Sequence, residues 1–267
     1  MPVIQGLGWT FDTAADTYAK LRPGYVAALY QDIFAYCPLD ASSHAVEVGI
    51  GGGQATRPIL ETGCTVTAVE PGEAFCALCR EKFAAYPNFS VINGKFEDVA
   101  FPEASCDLVY SASAFHWVPE EIGYCKAFGM LKNGGVFARF ANHPWRDKGN
   151  PALAAALDEA YAKYYHTYYC SVPKLEDEYT EAQAIRRAEI AAKYGYTDIQ
   201  YCLYRRTRAF TAAEYVQLLG TYSDHIALPD EVRLPFFREV EAAINTHGGT
   251  ITIYDTIDLQ QIGRAHV

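Results

Sequence analysis

Two acidic residues, a run of glycines and a histidine–tryptophan pair carry the chemistry that this sequence can support. Glu47 lies in the apolar run His44-Ala-Val-Glu-Val48, two residues before the first of Gly49, Gly51 and Gly53. An uncompensated charge in an apolar strand is expensive, so Glu47 is expected to have a cationic or hydrogen-bonding partner. The glycines leave a backbone that a ligand can approach closely, and Glu70, ending the next apolar run, can grip a ribose diol. Together they point to an adenosine-containing cofactor. The glycine spacing is G-x-G-x-G, whereas the dinucleotide fingerprint needs its third glycine one place later, where this chain has Gln54. That offset weighs against NAD or FAD and makes an NAD-dependent oxidoreductase the less favoured alternative.

His116-Trp117 follows the β-rich run Asp107–Ala112, at the strand end beside which ligands of open α/β sheets bind. A histidine there can accept a proton from a hydroxyl acceptor near neutral pH, and an aromatic face can stabilise a cationic donor. The competing reading, which is favoured, is that Trp117 packs, His116 orders its loop and the pair shapes a substrate wall. Tyr161, Tyr164, Tyr165, Tyr168 and Tyr169 recur at the spacing of one helix face. Packing is the ordinary outcome for such a stripe, with hydroxyls lining an acceptor pocket as the alternative. Arg205, Arg206 and Arg208 form a basic cluster in which Arg206 and Arg208 share a strand face; a solvated edge strand is the commoner result and an anion grip the rarer one. Cys76-x-x-Cys79 is a lone pair with no second pair or nearby histidine, so no metal site is expected.

These residues are spaced by a βαβ succession. Candidate strands are 44–49, 65–70, 89–93, 107–112 and 134–141, and helices fit 53–61, 73–85 and 120–131, the last closing on Lys132-Asn-Gly-Gly135 with an expected left-handed cap. Alternation of this kind argues for a mostly parallel sheet covered on both faces. Before it, Phe11–Tyr36 reads as two helices broken at Arg22-Pro-Gly24. After it, helices over 150–169 and 178–194 leave the βαβ rhythm. Strand character returns at 199–204, Thr211 and Glu214 form a capping box, a helix runs near 230–246, and Thr250–Ile257 is a β-branched last strand.

The chain has 267 residues, half of them hydrophobic, which suffices for a sizeable core. A formal charge of -10 disfavours a nucleic-acid partner. No apolar run approaches membrane-spanning length, the N-terminus lacks the pattern of a signal peptide, and eight scattered cysteines suit a reducing compartment, so a cytoplasmic location with no membrane partner is expected. The closing string Ile262-Gly-Arg-Ala-His-Val267 matches a translated sequencing adapter, and residues 262–267 are therefore expected to be a non-native tail.

Several motifs in order make the sequence resemble the class I S-adenosylmethionine-dependent methyltransferases, of the broad small-molecule type that includes trans-aconitate methyltransferase. They are Phe11-Asp-x-x-Ala-x-x-Tyr18-x-x-x-Arg22-Pro-Gly24, Glu47-Val-Gly-x-Gly-x-Gly53, Val69-Glu-Pro71, Gly94-Lys-Phe-Glu97, Asp107-Leu-Val-Tyr110, Ala114-Phe-His-Trp117 and Leu131-Lys-Asn-Gly-Gly135. The resemblance implies a doubly wound, seven-stranded, mostly parallel α/β sheet of order 3-2-1-4-5-7-6 with a helical cap insertion, in one domain over residues 1–261. Within it, 1–39 would be lid helices, 40–141 the cofactor core, 142–197 the cap and 198–261 the last two strands and helices. It further implies that Gly49, Gly51 and Gly53 pass beneath the methionine part of the cofactor and that Glu47 reaches its ammonium. Glu70, followed by Pro71, would accept the ribose hydroxyls, Phe96 and Glu97 would meet the adenine, and Ser111 and Ala112 would close over the sulfonium. Lys95 stands where the family commonly has Asp. Tyr18 and Arg22 would approach the cofactor carboxylate, and Phe115, His116 and Trp117 would face a small-molecule methyl acceptor, His116 being the candidate base. A protein that binds the cofactor without catalysis is the other alternative.

Overall fold

In β1 (His44–Val48) successive side chains enter opposite sides of one sheet, because a strand alternates its Cβ atoms between faces. Ala45 joins Leu108, Tyr110, Ala138 and Phe140 in one hydrophobic cluster, whereas Val46 joins Val109 and Phe137 in another. Both faces of such a sheet are buried, which explains why its strands read as near-continuous apolar runs. The computed structural model describes residues 15–172 and 177–264; the start of the first motif, Phe11–Ala14, and the tail residues 265–267 lie outside them.

The seven strands are β1, β2 (Thr65–Glu70), β3 (Phe89–Asn93), β4 (Cys106–Ala112), β5 (Leu131–Arg146), β6 (Tyr196–Thr211) and β7 (Thr250–Arg264), in the order 3-2-1-4-5-7-6. The first five strands pair in parallel, with Glu47 opposite Ala68 on one side and Tyr110 on the other, and Ser111 opposite Arg139. The order reverses between β1 and β4, the place where open α/β sheets bind ligands at their carboxyl ends.

The chain divides into two units. One comprises Pro23–Asn142, Tyr179–Tyr204 and Ile257–Val267. In it α2 (Ala27–Tyr36), α3 (Thr56–Leu60) and α4 (Glu73–Lys82) cover one sheet face through Leu29, Ile33, Ile59, Leu60 and Cys79. The opposite face is covered by α5 (Glu120–Met130), through Tyr124, Ala127 and Met130. The helix ends at Met130, one residue before Leu131 turns extended, and the left-handed residue falls later, at Gly134 with φ 77°. Strand β7 continues to Arg264, and Ile262 is fully buried in this second cluster.

The other unit comprises Met1–Arg22, His143–Glu178 and Arg205–Thr256. Its described helices are α1 (Ala15–Leu21), α6 (Pro151–Ala160), α8 (Ala212–Leu219), α9 (Ser223–Ile226) and α10 (Asp230–Thr246), while α7 (Glu181–Glu189) belongs to the first unit. Phe236, Val240 and Ile244, four residues apart on α10, meet Leu153 and Leu157 of α6 and Leu218 of α8. The expected capping box is present, Glu214 N–H donating to Thr211 Oγ1 at 3.3 Å and Thr211 N–H to Glu214 Oε2 at 2.8 Å. The tyrosine stripe packs: after α6 the chain widens into a π-helical turn over Tyr161–His166, and Tyr161, Tyr164, Tyr165 and Tyr169 lie against this core while Tyr168 is 46 % exposed. Arg206 and Arg208 share the buried Asp255, with N···O distances of 2.8 and 2.7 Å, so they are ion-paired rather than merely solvated. Arg205 is solvated and meets Glu178 at 2.7 Å.

Candidate active site

The glycine turn follows β1 because three of its residues adopt backbone angles that side chains resist. Gly49 has φ 73°, and a Cβ added there would stand 2.4 Å from the Cβ of Ala114. Gly53 has φ 70°, and its added Cβ would strike the Phe83 ring at 2.6 Å. Gly49→Ala is therefore expected to destabilise the protein by about 3 kcal/mol, summing left-handed strain and overpacking. A urea midpoint unchanged from wild type would contradict this turn geometry.

Glu70 ties the turn to β2. Gly51 N–H donates to its Oε2 at 2.9 Å and Gly72 N–H to its Oε1 at 2.9 Å. Charge-assisted bonds of this kind fix both the carboxylate and the loop. Lys82, at the end of α4, supports the turn from behind, its Nζ donating to Gly52 O at 2.6 Å and Gly53 O at 3.1 Å. Cys76 and Cys79 are buried, and their thiols donate to the carbonyls of Glu70 and Gly51. Burial pushes the Cys79 thiol up to about 12, leaving it unreactive at neutral pH.

Glu47 has no solvent exposure. Its Oε2 accepts hydrogen bonds from Thr56 Oγ1 at 2.7 Å and Tyr110 OH at 2.8 Å, so the partner that the sequence demanded is a pair of hydroxyls. Its Oε1 has no hydrogen-bond partner among the described residues. Burial raises this carboxyl to about 7, against the lowering effect of those two hydroxyls. A buried oxygen with no donor, beside a backbone turn with no Cβ, fits a ligand that brings a cationic donor. Glu70, at the edge of the same turn, fits one that also brings a diol. S-adenosylmethionine carries both, in its ammonium and its ribose.

At the carboxyl end of β4, Ser111 is buried and donates to Val48 O at 2.8 Å, while Ala112 is half-buried. Ser113 takes a left-handed φ of 56°, and its hydroxyl meets Tyr25 OH at 2.9 Å and accepts from Asn142 N–H at 3.3 Å. Left-handed strain at a non-glycine residue persists where surrounding contacts enforce it. Phe115 turns into the core, 5.3 Å from the Tyr124 ring and 4.8 Å from that of Phe137. His116 and Trp117 stay at the surface, their rings 5.0 Å apart. His116 keeps an exposed edge, yet the protein packed around its ring, then the charges of Arg187 and Arg139, push the imidazole down to about 4.

Phe96 is buried beneath the Lys126 ammonium, which lies 4.9 Å from its ring and donates to the carbonyls of Phe96, Glu97 and Val99. Glu97 is half-buried and Pro71 exposed, with Asn93 donating to Pro71 O at 3.0 Å. Tyr18 and Arg22 belong to the other unit. There Arg22 donates to the Thr221 hydroxyl at 3.0 Å and carbonyl at 2.9 Å, stacking 4.0 Å from the Tyr222 ring.

Thr56, Tyr110, Lys82, Tyr25 and Arg139 escape a reading of the sequence. Tyr110 stands opposite Glu47 only once the β1–β4 register is known. Lys82 and Tyr25 reach their partners across 30 and 88 residues of chain, beyond any local signal.

Residues 46–138 match the sequence pattern of the family described as a methyltransferase domain. An uncharacterized methyltransferase of a Geobacillus species is 31 % identical over 165 residues, covering 58 % of this chain and 75 % of the relative. An uncharacterized methyltransferase-like protein of Schizosaccharomyces pombe is 25 % identical over 238 residues, 89 % of this chain and 86 % of the relative. Among solved structures, a protein proposed to be a type II methyltransferase from Anaeromyxobacter dehalogenans aligns at TM-score 0.61 and 22 % identity, over 90 % of this chain and 97 % of that one. The phosphoethanolamine N-methyltransferase 2 of Haemonchus contortus, solved with phosphomonomethylethanolamine and S-adenosylhomocysteine, aligns at 0.56 and 15 %, over 99 % and 61 %. The [4+2]-cyclase SpnF aligns at 0.56 and 12 %, over 98 % and 96 %. At these identities the structural likeness speaks for the fold alone.

Proposed function

We propose, from the premise that this chain belongs to the S-adenosylmethionine-dependent methyltransferase family, that it methylates a small-molecule acceptor bearing a carboxylate or hydroxyl. The observation that carries the cofactor assignment is the pair of carboxylates around one glycine turn, Glu70 held by two backbone N–H groups and Glu47 with a buried oxygen awaiting a donor. Glu47 would take the cofactor's ammonium and Glu70 its ribose hydroxyls, with Gly49, Gly51 and Gly53 beneath the methionine part. Phe96 and Glu97 would border the adenine, Pro71 the ribose, and Ser111 and Ala112 the sulfonium. Tyr18 and Arg22 would serve the cofactor carboxylate from a lid over residues 1–39, with 142–197 as a cap. When bound, S-adenosylmethionine supplies a methyl group on a positive sulfur, which an acceptor lone pair displaces in line while sulfur keeps the bonding electrons.

The protein's remaining task is alignment and exclusion of water. A carboxylate acceptor needs no base, and the low affinity of His116 for a proton favours that choice, since a conjugate acid near 4 holds an abstracted proton poorly at neutral pH. His116 and Trp117 would shape the acceptor's entrance. None of the described helices is long and apolar enough to cross a membrane, which accords with an acceptor met in solution.

Labelled methyl transfer from S-adenosylmethionine across carboxylates, phenols, amines and thiols tests this reading. Turnover of a carboxylate or hydroxyl acceptor is expected, while transfer to none of the panel would overturn it. With a carboxylate acceptor, His116→Ala is expected to cost less than tenfold in kcat and to leave the profile between pH 6 and 8 unchanged. A wild-type inflection near 6.5 that vanishes in the variant would instead make His116 a base.

A further inference from the structure

Among the described residues, Arg139 is a buried cation without a counter-ion of its own. It lies in β5 and is 9 % exposed. Its Nη1 donates to Tyr124 OH, and its guanidinium sits 5.4 Å from the Phe115 ring and 5.8 Å from that of Tyr124. Its Nε has no hydrogen-bond partner among the described residues, and no carboxylate forms an ion pair with it there. Taking a guanidinium out of water with only a phenol and two ring faces around it is unfavourable, and folds rarely keep such a group without a use.

A second guanidinium intensifies the imbalance. Arg187, on α7, is close enough to Arg139 to disfavour its charge, and Arg187 itself holds Asp258 through two bonds of 3.0 Å to Nη1. Asp258 is fully buried and also accepts from Gln260 at 3.0 Å, so its oxygens are already engaged. Tyr179 and His116 lie within the field of both arginines, and neither brings a negative charge at neutral pH. Among the described residues the cluster therefore holds two positive charges against one negative. All its members belong to the same unit as the glycine turn.

Its place in the sheet is informative. Arg139 stands directly opposite Ser111 in the β4–β5 register, at the carboxyl end of β4, one strand from Tyr110 and two from Glu47. His116 and Trp117 form the exposed end of the segment that follows. A planar guanidinium with a free N–H edge at this level suits a planar anion that accepts two parallel bonds.

We propose that Arg139, with Arg187 beside it, receives a carboxylate of the methyl acceptor and orients that acceptor toward the end of β4. This deepens the methyltransferase reading and rests on it. The carboxylate supplies the counter-ion that Arg139 lacks, and Arg187 keeps Asp258 from taking that role. Arg139 is thus a specificity-determining residue for acidic acceptors.

The test is calorimetric titration of the full chain, saturated with S-adenosylhomocysteine, with acetate, benzoate, succinate and citrate, each against its amide and against inorganic phosphate. At least one carboxylate is expected to bind, at least tenfold more tightly than its amide and than phosphate. Arg139→Gln and Arg187→Gln should each weaken that binding tenfold or more, with S-adenosylhomocysteine affinity kept within threefold. Arg139→Lys, which keeps the charge and loses the planar fork, should fall between and guards against a Gln variant that does not fold. Equal binding of a carboxylate by wild type and Arg139→Lys and Arg139→Gln, tighter binding of phosphate, or no binding of any carboxylate would overturn the proposal. A tenfold loss of S-adenosylhomocysteine affinity in the Arg139 variants would overturn it too, by giving the arginine to the cofactor. Failure of wild type to bind S-adenosylhomocysteine at all would instead strike the methyltransferase reading beneath it.

Discussion

Glu70→Ala is expected to weaken S-adenosylhomocysteine binding at least tenfold. Two hydrogen bonds from ribose hydroxyls to one carboxylate contribute on the order of 2–4 kcal/mol, and each 1.4 kcal/mol is a factor of ten in affinity. The loss is compounded at the turn, because the same carboxylate accepts Gly51 N–H and Gly72 N–H at 2.9 Å each. Without it the turn loses its tie to β2 as well as the ligand its acceptor. Glu70→Gln separates the two effects: its amide oxygen can still accept one backbone N–H, so it should keep more of the thermal stability while losing the charge that strengthens the ribose bonds. Calorimetry on variants whose far-ultraviolet circular dichroism matches wild type gives the answer. Unchanged affinity in a folded Glu70→Ala protein would remove the ribose assignment.

The two carboxylates were legible for different reasons, and the sequence tells less about Glu47 than about Glu70. An acidic residue ending an apolar run is a local signal, and β2 ends at Glu70 as expected. The demand that Glu47 have a partner followed from desolvation alone, but Thr56 and Tyr110 are joined to it by turn geometry and strand register, which no local pattern encodes. Strand positions in the parallel core were readable because burial on both faces leaves apolar runs bounded by turns. Lengths were less readable where a strand stays polar on one side: β6 extends from Tyr196 to Thr211 through alternating exposed residues, well past the expected 199–204. The helix expected over 53–61 shortens to Thr56–Leu60, because the left-handed glycines hold the preceding residues in turns. Arg139 was invisible for a related reason, since one arginine in an apolar strand says nothing of its surroundings until Tyr124 and Arg187 are placed around it.

Glu47→Gln is expected to raise stability at pH 8 relative to pH 5 while lowering cofactor affinity. The folded carboxyl titrates at about 7, above its usual 4.5, chiefly because burial penalises the charged form. A raised folded value means that the folded state binds the proton more tightly than the unfolded state. The stability linked to this group is therefore complete below about 4.5 and is lost as pH rises through about 7, by on the order of 3 kcal/mol. Glutamine does not titrate, and its amide oxygen can still accept from Thr56 and Tyr110. Its amide nitrogen replaces the oxygen that has no donor, a cost of about 1–3 kcal/mol that does not vary with pH. The stability difference between variant and wild type should accordingly move in favour of glutamine by about 2–3 kcal/mol between pH 5 and pH 8, as measured by urea denaturation. Binding should move the other way. An ammonium placed at Oε1 stabilises the carboxylate and draws its proton off, so association at pH 6.5 releases protons and its heat varies with the ionisation enthalpy of the buffer. In the variant that buffer dependence should vanish and affinity should fall about tenfold, the loss of one charge-assisted contact. Equal pH slopes for the two proteins would refute the raised carboxyl; an unchanged affinity would refute the ammonium contact while leaving the burial argument standing. Glu47 thus places a cost in the cofactor-free fold at neutral pH that a bound ammonium would relieve, and on this assignment occupancy of the turn would be coupled to the stability of the sheet beneath it.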